Sequence, residues 1–186
     1  MRFKPPRIIR IDADTFATLG ARDEAMTVTP TGVATATAYM MQATKFSYEM
    51  FGAVGDVAPF SLEAQGSEGA AGLVRGQLAK AKGTVSATGA FGSAVNLGAG
   101  AAGKYLYLAF HVFSAGTTIS VKVESDNAQA FSTPADVASA TIGPITAAGA
   151  TWMTRVDASS FTDAWYRLNA TACTGTFSVA GALAIQ

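Results

Sequence analysis

The stretch KYLYLAFHVFSAGTTISVKVESDNAQAF, residues 104–131, decides the fold of this chain. Within residues 104–113 both alternating sets of side chains are apolar, which is typical of a strand covered on both faces. A turn, SAGT, follows at residues 114–117. Residues 119–124 then alternate between apolar and polar side chains, which predicts a strand with one solvated face. The sequence therefore predicts a β-hairpin whose first strand is central in a sheet.

Apolar positions in this hairpin and in two later strands define a predicted core. The later strands are predicted at residues 164–172 and 176–185. Trp165 and Tyr166 are neighbours, so a slip of one residue in register would exchange their faces, and which of the two points inward stays open. The predicted core residues are Leu106, Leu108, Phe110, Val121, Val123, Trp165, Phe177 and Val179.

The domain organisation is predicted from a change in composition. The 186 residues leave room for one large or two small domains. Residues 83–103 are rich in Gly, Ala, Ser and Thr, which predicts a linker or connecting loop. The predicted fold is all-β, with a β-sheet assembly region at residues 1–82 and an antiparallel β-sandwich at residues 104–186.

The N-terminal part is predicted to carry the assembly surface. Strands are predicted at residues 7–12, 26–29, 35–51, 60–64 and 73–78, with a bulge near residues 42–44 where the apolar parity changes. Methionine-rich strand faces with few apolar partners in the same half favour association with other chains. The predicted interface residues are Met40, Met41, Phe46, Tyr48 and Met50.

Charge and composition argue against several classes of partner. Lys plus Arg equal Asp plus Glu, at 13 each, so no net field attracts nucleic acid or a membrane surface. Charged residues make up only 14% of the chain, which suits surfaces packed against other subunits. A compositional bias toward Ala and Gly explains the low charge equally well. No apolar run is long enough to span a bilayer and no leader is evident, so no membrane partner is expected.

Residue types that often catalyse reactions or bind metals in proteins are few in this sequence. His111, the one histidine, lies in an apolar strand, where a buried, hydrogen-bonded imidazole is commoner than a catalytic base. Cys173, the one cysteine, excludes an internal disulfide and a cysteine-built metal site. No calcium-loop or phosphate-loop motif is present. The sequence thus predicts no catalytic, cofactor-binding or metal residues. Four aromatic residues at strand spacing favour a core over a sugar-binding face: Trp152, Trp165, Tyr166 and Phe177.

Two stretches together resemble structural proteins of tailed bacteriophages. These are residues 27–78 and the part of the chain from residue 104 to the end. In that order they are similar to the later part of siphophage major tail proteins, which form the tail tube. The segments that carry the resemblance are LVRG, LYLAFHVFSAGTT, VESDNAQAF and DAWYRLN…GTFSVA. The resemblance covers most of the chain. It consists of β-strand patterns and includes no catalytic signature.

The resemblance implies a structural role without enzymatic activity. Such proteins close into hexameric rings that stack into a tube around passing DNA, and an outer β-sandwich domain often follows the tube domain. The implied partners are other copies of the chain and other virion proteins, and the implied location is the virion after synthesis in the host cytoplasm. Two alternatives are a capsid decoration protein and a carbohydrate- or receptor-binding module on the virion. Similar tail proteins have a longer region before the segment that corresponds to Thr27.

Overall fold

The computed structural model describes residues 23–50, 60–67 and 72–186, with the backbone alone at 45–50 and 60–64. This part of the protein is all-β and antiparallel, which confirms the predicted fold class. None of its residues forms a helix that would be long and apolar enough to cross a membrane. The strands are β1 Glu24–Val28, β2 Thr37–Met50, β3 Phe60–Gly66, β4 Val74–Val85, β5 Gly89–Asn96, β6 Tyr105–Ser114, β7 Thr118–Asp126, β8 Ala135–Ile145, β9 Gly149–Trp152, β10 Val156–Asp157, β11 Trp165–Thr174 and β12 Phe177–Ile185.

The strands form two sheets that pack as a sandwich. The larger sheet has the order β1-β2-β4-β12-β6-β10, with β3 beside β2 and β9 beside β6. The smaller sheet has the order β5-β11-β7-β8. A core of apolar side chains from both sheets lies between them. Seven of the predicted core residues are buried there: Leu106, Leu108, Phe110, Val121, Val123, Phe177 and Val179.

Strand β6 is central, as the sequence predicts. It pairs with β12 on one side and with β9 and β10 on the other. Leu106, Leu108 and Phe110 are fully buried in the sandwich core. On the opposite face, Tyr107 and Ala109 are buried in a second apolar cluster.

The predicted hairpin between β6 and β7 is wrong. The two strands belong to different sheets, so the turn around Gly116 carries the chain across the sandwich. A side chain at Gly116 would place its Cβ 2.8 Å from Cε2 of Phe177, because this turn lies against the core. Alternation of apolar and polar residues sets which face of a strand is buried, and it does not identify the partner strand.

The predicted linker at residues 83–103 is also wrong. Strand β4 continues to Val85, and β5 occupies Gly89–Asn96 within the remaining range. Val85 and Val95 are buried in the sandwich core. The small residues serve close packing: Gly92, at φ +81°, lies against the backbone of Ala79, where a side chain would collide.

A second core joins the two predicted halves. Strand β1 pairs with β2, and β1 also lies against β6 and β9. The buried residues of this second core come from both halves of the chain: Ala25, Ala38, Met40, Val74, Leu78, Tyr107, Ala109, Ala182 and Ala184. Strands β4 and β12 are paired along much of their length. The described part of residues 1–82 is therefore built into the same sheet as residues 104–186.

Two finer predictions differ in detail from the structure. The bulge in β2 falls between Lys45 and Ser47 in its pairing with β3, slightly later than predicted. Trp165 is only half-buried, so its assignment to the core is wrong, and Tyr166 is the fully buried member of the pair. The predicted strand at residues 7–12 lies outside the described residues.

Candidate functional site

The predicted assembly residues do not form one surface. Met40 is fully buried in the second core, so its prediction as an interface residue is wrong. Met41 is half-buried and lies opposite Met26 in the β1–β2 pair. Phe46, Tyr48 and Met50 belong to β2, but their side chains lie outside the described part of the structure. The strand that was predicted to face other chains instead packs, over its first half, on the protein's own sheet.

An open groove of about 290 Å³ lies where β1 crosses the larger sheet. Strands β1, β4, β6 and β12 and the turn after β1 contribute to its walls. Polar groups are few in a mainly apolar lining, as in many small-ligand sites. The lining residues are Thr27, Thr29, Gly32, Leu78, Lys82, His111, Phe113, Ala180, Gly181 and Ala182.

His111 links the two sides of this groove. Its Nε2 lies 2.8 Å from the hydroxyl oxygen of Thr27, which joins β6 to β1. The imidazole stacks on Phe113 with ring centres 6.5 Å apart, and the ammonium of Lys82 lies 4.5 Å from the centre of the Phe113 ring. Burial lowers the pKa of His111 below its usual 6.5, because the charged imidazolium loses hydration in this position. The predicted hydrogen bond of the histidine is present, and its side chain is half-buried at the groove rather than fully in a core.

The Thr27–His111 pair has the spacing of a nucleophile and its base, but the described lining of the groove supplies no carboxylate to orient the ring. A hydroxyl activated by imidazole needs a third group that orients the ring and donors that stabilise an oxyanion. Among the described residues, no carboxylate lines the groove. The geometry shows a side-chain hydrogen bond that joins β1 to β6.

A polar cluster on the smaller sheet is the other concentration of charge. Glu124 is buried and receives both Nε and Nη2 of Arg167, each 2.7 Å from its Oε2. Asn169 Nδ2 donates to Oε1 at 2.7 Å, and Lys122 Nζ lies 3.2 Å from the same oxygen. Lys122 also pairs with Asp136 on β8, and this bond is the main cause that raises the pKa of Lys122. Both carboxylate oxygens of Glu124 have partners. Because the side chains of the cluster come from β7, β8 and β11, the cluster joins these three strands.

Asp126 anchors the connection that follows β7. Its Oδ1 accepts from the amide of Ala128 and its Oδ2 from the amide of Thr133, both at 2.9 Å. These amide bonds hold the pKa of Asp126 below its usual value, because they stabilise the carboxylate form. Among the described residues, no group of three or more His, Cys, Asp or Glu side chains is placed to hold a metal ion. The carboxylate is used for the turn, as Asp commonly is.

The aromatic residues do not form an exposed binding face. Tyr166 and Phe177 are fully buried. Trp152 is half-buried and packs on Tyr107, with ring centres 6.0 Å apart. A sugar-binding platform requires rings that are open to solvent, so Tyr166 and Phe177 favour the predicted core role, whereas Trp152 and Trp165 are half-buried.

Strand β8 at the edge of the smaller sheet has an unusual composition. It pairs with β7 alone among the described strands. No charged residue occurs between Asp136 and Arg155, and most of β8 after Val137 is exposed. Edge strands in monomeric proteins usually carry charges, prolines or bulges that prevent pairing with a second chain, and β8 carries Pro144 and two register irregularities against β7 but no charge after Asp136. The exposed side chains along this edge are Ala138, Ser139, Thr141, Gly143 and Pro144.

Sequence reasoning missed both the groove and the neutral edge. His111 and Phe113 share one parity of β6, which is a visible signal, but their meeting with Thr27 depends on β1 crossing the sheet. The uncharged run after Asp136 is visible in the sequence, and only the sheet order places it at an edge. Comparison of the sequence with protein-family models and with curated proteins finds no match.

Proposed function

We propose that this chain is a structural protein of a tailed-bacteriophage virion, and specifically the major tail protein that assembles into stacked rings around a DNA-conducting lumen. The resemblance of its strand segments to siphophage tail proteins supports the virion role. The observation that carries the assembly role is the exposed, uncharged part of β8 after Asp136, which pairs with β7 alone among the described strands and so offers a free edge to another copy.

The chemistry of the described residues agrees with assembly by burial rather than by charge. Charged residues are 14% of the chain, and the net formal charge is zero. The polar groups around Glu124 and around Asp126 form hydrogen bonds within the chain. A closed ring is the symmetric arrangement in which every such edge finds a partner. In such a tube, DNA would pass through the lumen without base-specific contacts.

The proposal is tested by the assembly state of the purified full-length chain. We expect negative-stain micrographs to contain rings or tubes, and light scattering to report oligomers at both low and high salt. Contacts made by apolar side chains and backbone groups depend weakly on ionic strength. A chain that stays monomeric at every concentration and salt would remove the basis for the tube assignment.

The same preparations separate the tube from the other virion roles. A decoration protein would remain a monomer or trimer and would bind empty phage heads. A carbohydrate-binding module would respond to glycans in a binding screen while remaining unassembled. Tubes that form without heads or glycans favour the tail assignment over both.

A further inference from the structure

We propose that the groove between β1 and the larger sheet binds a small organic monoanion, a carboxylate with a short apolar body, whose charge pairs with Lys82 and whose body lies on the apolar floor of the groove. This inference goes beyond the proposed virion role and does not rest on it, because every residue that lines the groove belongs to one chain.

The floor of the groove is apolar. Residues 180–182 of β12 and Leu78 of β4 contribute to it. Leu78 and Ala182 are buried members of the second core, so the floor is closed from below. Because the side chains of β12 at this point are small, the space above them stays open. An apolar body can therefore reach the sheet there and release water from it.

The sides of the groove are held in place by contacts within the chain. The 2.8 Å hydrogen bond between the Thr27 hydroxyl and Nε2 of His111 joins β1 to β6. The Phe113 ring stacks on the imidazole, with ring centres 6.5 Å apart. Phe113 is 50% exposed, so its ring offers further apolar surface to a ligand. The groove is therefore formed before a ligand arrives, which lowers the cost of binding.

Lys82 supplies the one full charge of the described lining at neutral pH. Its ammonium lies 4.5 Å from the centre of the Phe113 ring, and among the described residues it forms no salt bridge. The described lining contains no carboxylate, and His111 is neutral because burial lowers its pKa below 6.5. A cation without a counter-charge, next to an apolar surface, is complementary to an anion with an apolar body.

The size of the groove favours a small ligand over a protein partner. Its volume of about 290 Å³ is close to the lower end of the range for small-molecule sites, about 300–1,000 Å³. Ten residues line it, whereas each side of a stable protein interface contributes about 20–30 residues. Because the lining offers a single cation, the matching ligand carries a single negative charge.

The test is equilibrium dialysis of the full-length chain with radiolabelled octanoate at neutral pH, a measurement that works for monomers and for assemblies. Octanol and octylamine have the same chain length with a neutral and a cationic head. We expect octanoate to bind saturably, at about one molecule per chain, and about three- to fivefold more tightly than octanol, which is the gain that an exposed ion pair gives. Octylamine should bind most weakly, because its charge is repelled by Lys82.

Substitutions in the full-length chain locate the site. Lys82→Met removes the charge and keeps an apolar stem, so it should weaken octanoate binding about three- to fivefold and leave octanol binding unchanged. Lys82→Arg should retain the affinity for octanoate. Lys104→Met removes an exposed charge outside the groove and should change neither affinity. Ala180→Phe should fill the groove and abolish the binding of both compounds.

Three results would overturn this site. One is the absence of saturable octanoate binding, and another is octanol binding as tight as that of octanoate. The third is an equal effect of Lys82→Met and Lys104→Met on octanoate. Octanoate binding that survives in a folded Ala180→Phe variant also contradicts the site. If that variant does not fold, the substitutions of Lys82 decide the outcome, because this side chain is exposed.

Discussion

The guanidinium group of Arg167 lies 4.3 Å from the ring centre of Phe131 and places two nitrogens 2.7 Å from one carboxylate oxygen of Glu124. This arrangement joins β11 to β7 and covers both with the segment that follows Asp126. The Glu124 side chain is only 7% exposed, whereas that of Arg167 is 24% exposed. The carboxylate therefore depends on its partners for the stabilisation that water would otherwise give.

Arg167→Ala is expected to destabilise the protein by about 2–3 kcal/mol, because it leaves a buried carboxylate with fewer partners. Lys122 and Asn169 still contact Glu124, so the loss falls short of that for a fully orphaned charge. The measurement is urea unfolding of the substituted and unsubstituted chains at neutral pH.

Arg155→Ala is the matched control for this substitution. The Arg155 guanidinium also lies 4.3 Å from the centre of an aromatic ring, that of Tyr105, but it is exposed. An exposed cation–π contact contributes about 0.5–1 kcal/mol. If the two arginine substitutions cost the same, the carboxylate of Glu124 does not depend on Arg167.

Phe177→Ala is expected to cost about 3–5 kcal/mol, because the ring is fully buried between the sheets and its removal leaves a cavity. The same deletion at Phe113, which is 50% exposed, should cost about 1 kcal/mol or less. Thermal and urea unfolding of both variants compare the positions directly. Equal losses would show that Phe177 does not contribute to the core as the packing indicates.

Most of the strands after residue 103 and most of the apolar core of this protein were predictable from local patterns. Residues 104–113 have two apolar faces, and the structure places them at the centre of the larger sheet. Which strands pair with one another was less predictable. Gly92 lies in the range predicted as a linker, because small residues that permit close packing give the same composition as a flexible segment.

The groove and the burial of Met40 depend on contacts between distant parts of the chain. Met40 belongs to a buried cluster that includes Val74 and Leu78 from the N-terminal half and Tyr107, Ala109 and Ala182 from the other half. Thr27 and His111 are 84 residues apart in sequence. Alternation along one strand carries no information about such crossings.

Tyr166 is expected to make the protein lose stability in strong alkali. Burial and the nearby Asp163 raise the pKa of its hydroxyl to about 12, so the folded state favours the neutral phenol. This contribution is fully present below the unfolded value of 10.0 and is lost as pH rises through about 12. Absorbance of phenolate during alkaline titration should show one tyrosine that ionises late.

Tyr166→Phe provides the control for the alkaline titration. The substitution removes the late-ionising group and the 2.8 Å bond that the hydroxyl donates to the carbonyl of Asp163. It should cost about 1 kcal/mol at neutral pH. It should also flatten the fall in stability between pH 10 and 12. Persistence of the late transition in the variant would assign it to another tyrosine.

Ala138→Lys is expected to block assembly while leaving the chain folded. Ala138 is exposed on β8, in the part of the edge that lacks charge, and a lysine there would have to lose its hydration if another strand paired alongside. Light scattering and negative-stain microscopy should therefore report smaller species than for the unsubstituted chain, with the same unfolding midpoint. Ala87→Lys makes the same chemical change at an exposed position between β4 and β5, and it should leave assembly unaltered. Assembly that survives Ala138→Lys, or that is lost equally in both variants, would mean that β8 is not the surface through which copies of this chain join.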